Sequence, residues 1–151
     1  MKGLLRKKIL PAVMICGMSL MLVSGAGCSD PITALVGQRI EIMDAFFNGD
    51  LNIREASEAL RRIEHGRLLQ EDLSSFESYF QTDVERILHY QITVPEITYR
   101  DENVITALVQ VEWTTEGIPA EEEDTAVCRE TAYYSVILEK NENSYKIVQF
   151  F

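Results

Sequence analysis

The sequence predicts an α+β domain: three N-terminal helices packed on one face of a curved antiparallel sheet of about four strands. Three observations predict it. Apolar residues recur at three- and four-residue steps from Ile32 onward, the helical period. From about Tyr90 the period falls to two, the period of a strand. Turn and cap residues stand where each segment should end, and helices followed by strands give segregated layers.

Asp30-Pro31 opens the first helix, with Asp30 as N-cap and Pro31 at the first helical position. Ile32, Leu35, Val36, Ile40, Met43, Phe46 and Phe47 form its apolar face, and Gly49 stops it. Asn52 caps a second helix, with Glu55 three residues on in capping-box position. Its apolar face is thin, made of Ile53, Ala56, Leu60 and Ile63. Arg54, Glu58, Arg61, Arg62 and Glu64 are expected on its wet side, and Gly66 is expected to end it. A third helix carries Leu69, Leu73, Phe76, Phe80, Val84 and Ile87, with its last turns near Asp83 a separate piece.

Gln91 to Arg100 reads as extended, and Pro95 marks an edge or a bulge. Asp101-Glu102-Asn103 turns the chain. Ile105, Ala107, Val109, Val111 and Trp113 then alternate on one face of the next strand. Glu116 to Asp124 is an acidic hairpin loop. It lacks the spacing and turn glycine of a calcium loop, so solvation is its expected role. Thr125 to Lys140 is a long strand, Asn141-Glu142-Asn143 a turn, and Ser144 to Phe151 the closing strand. This layout, with Tyr145, Lys146 and Ile147 after the last turn, resembles the nuclear transport factor two-like cone fold. The resemblance covers Ile32 to Phe151. It implies a cone between helices and sheet whose mouth holds a ligand or a catalytic acid in some members. A cystatin-like sheet gives much the same pattern.

The first 27 residues have a different character. Lys2, Arg6, Lys7 and Lys8 form a positive start, Ile9 to Val23 an apolar run, and Ser24-Gly25-Ala26-Gly27 a run of small residues. This is the layout of a secretory signal. Ending at Cys28, it resembles a bacterial lipoprotein signal, although Gly25 stands where that family usually has leucine. The resemblance implies lipidation of Cys28, two or three acyl chains such as palmitate, and an extracytoplasmic domain held at the cell membrane. Two alternatives stay open: cleavage after Ala26, or an uncut anchor across the uncharged stretch from Ile9 to Ser29. The expected organisation is thus a signal over residues 1–27, a lipidated N-terminus and linker over 28–31, and one domain over 32–151.

The chain has 14 basic and 24 acidic residues, and four of the basic ones precede Cys28. The remainder therefore carries a net charge of −14, which excludes a nucleic-acid footprint and keeps the domain off anionic head groups. With Cys16 in the signal and Cys28 acylated, Cys128 is left as a free thiol, expected buried. No cysteine or histidine spacing suits zinc, so no metal and no cofactor is expected.

Alternation on the long strand turns Cys128, Glu130, Ala132, Tyr134, Val136 and Leu138 inward. With Lys146 outward on the last strand, Tyr145, Ile147, Gln149 and Phe151 turn inward. Glu130 and Gln149 are the polar exceptions, and an inward carboxyl needs a partner or a cavity. Glu130, Tyr134, Trp113 and Gln149 are therefore the candidate lining of a cone cavity, with His89 at its rim. His65, before Gly66, suits the dipole at a helix C-terminus. None of these residues has an evident nucleophile or acid–base partner, so no catalytic residue is assigned.

The expected function is a membrane-anchored, non-enzymatic domain binding a small ligand or an envelope protein. One alternative is a small enzyme using Glu130 or His89. Another is a structural homodimer formed through an exposed sheet face, for which outward Val127, Tyr133 and Ile137 are suited.

Overall fold

A computed structural model describes residues 30–79, 85–116 and 127–151. Three helices precede four strands: α1 Pro31–Phe47, α2 Ile53–Ile63, α3 Gly66–Ser78, β1 Ile87–Arg100, β2 Val104–Glu116, β3 Val127–Asn141 and β4 Ser144–Phe150. The strands form one antiparallel sheet in the order β1-β2-β3-β4. The predicted α+β class is the observed one.

Local chemistry explains most boundaries. Pro31 starts α1, but the Asp30 side chain makes no capping bond. Gly49 leaves α1 with φ of 77°, a conformation that suits glycine. Asn52 caps α2 by accepting from the backbone N–H of Arg54 and Glu55, and the Glu55 carboxylate accepts from the Asn52 N–H. Gly66 has φ of 68°; it begins α3 rather than ending α2, and His65 is the N-cap of α3. Between α2 and α3, Glu64 is extended and bridges Ile147 in parallel, and the His65 N–H donates to the Ile147 carbonyl at 3.0 Å. This tie fixes the helix pair against the β4 edge. The signal with Cys28, Phe80, Val84 and the acidic loop after Glu116 lie outside the described residues; Glu116 itself ends β2, and Ile87 opens β1 instead of closing a helix.

The core is in two parts. In the larger, Ile32, Val36 and Ile40 of α1 meet the inward faces of β2, β3 and β4, namely Ile105, Ala107, Val109, Val111, Val136, Leu138 and Ile147. The smaller joins the helices, with Ala56, Leu60, Ile63 and Phe76 buried beneath Phe46 and Phe47. The Phe46 and Phe76 rings stack at 4.0 Å. Gly37 brings α1 close to β1, since a Cβ there would lie 3.3 Å from the Tyr90 hydroxyl. That hydroxyl donates to Glu41 at 2.7 Å; burial, and then this bond, push the Tyr90 pKa up to about 12.

Two irregularities correct the sequence reading of inward residues. The β3–β4 register shifts between Ile137 and Leu138, with Leu138 opposite Ile147 but Ile137 opposite Gln149. The extra residue, Val148, reverses the parity of β4. Gln149 therefore shares the outer side with Ile137, Phe150 opposes buried Val136, and Phe151 is exposed. Cys128 does lie on the helix-facing side by alternation, but it is exposed rather than buried. There β3 has run past the helices that would cover it, so position on a face does not imply burial.

Candidate functional site

The centre of the site is Arg39. It stands four residues after Leu35 on α1, so the helix turns it inward among apolar neighbours. Its Nε donates to Glu64 Oε1 at 2.9 Å and its Nη2 to Asp72 Oδ2 at 2.5 Å. Its guanidinium carbon lies 4.6 Å from the Phe150 ring centroid, a cation–π contact. Each charge comes from a different place. Arg39 is on α1, Asp72 lies on the Leu68–Phe76 stripe of α3, and Glu64 is at the extended step against β4.

Glu64 is completely buried and Asp72 is 8% exposed. Glu64 Oε2 is buried without a hydrogen-bond partner among the described residues. Burial, and then the nearby Asp72 carboxylate, push the Glu64 pKa up to about 8 against the pull of Arg39. Burial and the neighbouring Asp72 thus both favour the protonated form of Glu64. Helical spacing alone would put Glu64 on the wet side of α2; the extended step after α2 carries it into the interior instead.

In front of Arg39 a cleft of roughly 200 Å³ opens between α1 and the sheet. Trp113, Tyr134 and Phe150 make one wall, a row of rings running from β2 to β4. Trp113 and Tyr134 lie 6.3 Å apart between centroids, and Tyr134 and Phe150 lie 4.4 Å apart. Ile40, Met43 and Phe47 of α1 face them, and Ile87 closes one end. Burial raises the Tyr134 pKa, and Glu130 adds to the rise against Arg39.

Carboxylates stand around this apolar lining. Asp44 accepts from the Ile87 backbone N–H at 3.0 Å, tying α1 to the start of β1. Glu85 accepts from the Thr115 hydroxyl. Glu130 accepts from the Trp113 indole N–H at 3.2 Å. Glu130 thus lies beside Trp113, but it is exposed at the rim and not enclosed as expected.

Of the five residues expected to line the cavity, the structure brings three together: Trp113, Tyr134 and Glu130. Gln149 is turned to the outer side by the bulge. His89 pairs with Thr114 on β2, whereas Glu130 pairs with Trp113, so the two fall on opposite faces of the sheet by register. His89 lines a separate polar depression of roughly 300 Å³ with Gln91, Glu112 and Arg129, and Trp113 and Glu130 line it too. Sequence reasoning missed Arg39, Asp72 and Phe150. A signal existed for two of them, since Arg39 and Asp72 interrupt apolar stripes at helical spacing with opposite charges. Among the described residues no group of three side chains converges as metal ligands.

No family model matches this chain, and no curated protein matches it. Among solved structures, the intermembrane space region of the chloroplast protein ARC6 is similar. It has 18% sequence identity and a TM-score of 0.55, covering 81% of this chain and 95% of that one. At that identity the likeness concerns the fold alone.

Proposed function

We propose that this protein is a lipoprotein, attached to the extracytoplasmic side of the cell membrane through Cys28, whose domain binds a ligand or an envelope protein without catalysing a reaction. The cleft is the observation that carries the binding reading. Three aromatic rings and three apolar α1 side chains line a concavity open to solvent, the usual character of a binding site. The membrane reading rests on the charge, hydropathy and small-residue pattern ending at Cys28. An enzyme would need a positioned partner for Glu130 or His89, and the register that sends these two to opposite faces counts against their serving each other.

Two measurements test the two halves. Cys28→Ser should leave an unprocessed precursor that incorporates no labelled fatty acid. A wild-type chain equally free of label would end the lipoprotein reading. For the cleft, a photoreactive amino acid in place of Met43 should give adducts in cells that are lost when Phe150→Asp is added. The outer face offers a second reading, because Tyr133 is 60% and Val127 58% exposed there. Adducts arising only from a probe at Tyr133, with twice the mass of the chain, would replace the binding reading with the structural dimer.

A further inference from the structure

We propose that the cleft in front of Arg39 takes a cationic side chain on an apolar stem, a lysine or arginine presented by a basic segment of a partner protein. The inference rests on the binding reading above and names the chemistry of its occupant. The lining supplies both halves of the recognition. Met43, Phe47 and Ile87 can cover a methylene stem, while Trp113 and Tyr134 offer ring faces to a cation. The volume of roughly 200 Å³ suits one long side chain better than a large cofactor.

Charge selects the sign. Asp44 and Glu85 line the cleft, and Glu130 stands against the Trp113 indole at the rim. Among the described residues the guanidinium of Arg39 is the one cation in the lining, and it already faces Glu64 and Asp72. An incoming anion would meet three carboxylates, while an incoming cation would meet an arginine that is already paired. The chain as a whole carries a net charge of −10, which steers basic partners toward it.

The chain has a single tryptophan, and it stands in the wall of the cleft, so its fluorescence reports a peptide bound against that wall. The full chain in phosphatidylcholine vesicles is titrated with three blocked peptides, Gly-Leu-X-Leu-Gly, where X is lysine, norleucine or glutamate. The lysine peptide should bind about tenfold more tightly than the glutamate peptide and weaken with salt. The double variant Glu85→Gln/Glu130→Gln should weaken the lysine peptide several-fold and leave the norleucine peptide unchanged. Equal binding of lysine and norleucine, or tighter binding of glutamate, would overturn the cationic preference while leaving the cleft a binding site. Emission unmoved by all three peptides would overturn the cleft reading too. If n-butylammonium alone bound as tightly as the lysine peptide, the occupant would be a small amine and not a protein segment.

Discussion

Arg39→Ala is expected to lower the unfolding free energy at pH 7 by about 3–5 kcal/mol, the usual consequence of removing one partner from a buried ion cluster. Two effects add. The carboxyls of Glu64 and Asp72 lose the donors at 2.9 and 2.5 Å and remain buried. The Phe150 ring loses the guanidinium stacked on it, so a packing loss joins the electrostatic one. Denaturant unfolding gives the measurement, with Arg54→Ala as a control. Arg54 also pairs with a glutamate, Glu58, but its side chain is 86% exposed, so its loss should stay within about 0.5 kcal/mol. A second variant separates charge from volume. Arg39→Met combined with Glu64→Gln and Asp72→Asn removes every charge of the cluster and keeps most of the bulk, so it should recover much of the loss. If Arg39→Ala unfolded at the same denaturant concentration as Arg54→Ala, the cluster would be no more than a surface pair.

The stability of the folded chain should fall as pH rises from about 5 to about 8, and Glu64 should be the main cause. In the unfolded chain its carboxyl titrates at the ordinary value of 4.5, while in the folded chain burial and Asp72 push it up to about 8. Between those values the folded state binds the extra proton, so unfolding releases it and stability falls with pH. The Glu64 contribution is fully present below the unfolded value and is lost as pH passes through the folded one. Arg39 faces the group from α1 and Asp72 from α3, and His65 adjoins it in the chain. Glu64→Gln isolates the effect, since the amide keeps the shape and cannot ionise. The variant should show a flatter profile and exceed the wild type in stability above about pH 8. Parallel profiles for the two chains would mean that Glu64 does not hold the proton.

Patterns that repeat within a segment are legible in the amino-acid order alone. The helical steps of α1 and α2, the Asn52–Glu55 capping box, the alternation from Ile105 to Trp113 and the Asn141–Asn143 turn all appear where their spacing puts them. Trp113, Tyr134 and Glu130 can be grouped because regular alternation carries a face along β2 and β3. Expectation fails where one residue breaks a period. The bulge at Val148 reverses Gln149 and Phe150, and nothing in the residues around it announces the break. The shift from helix to extended chain at Glu64 moves a carboxylate from the expected wet side to zero exposure.

The order of helices and strands, the buried face of β2 and the charge of the domain thus follow from the chain's own pattern. They depend on local propensity and on periodicity, both of which are properties of neighbouring residues. The meeting of Arg39, Glu64 and Asp72 belongs to the assembled fold, because 25 and 33 residues separate Arg39 from its two partners. So do the exposure of Cys128 and the place of Phe150 in the wall of the cleft. Burial depends on where one element ends relative to another, and no single segment carries that length.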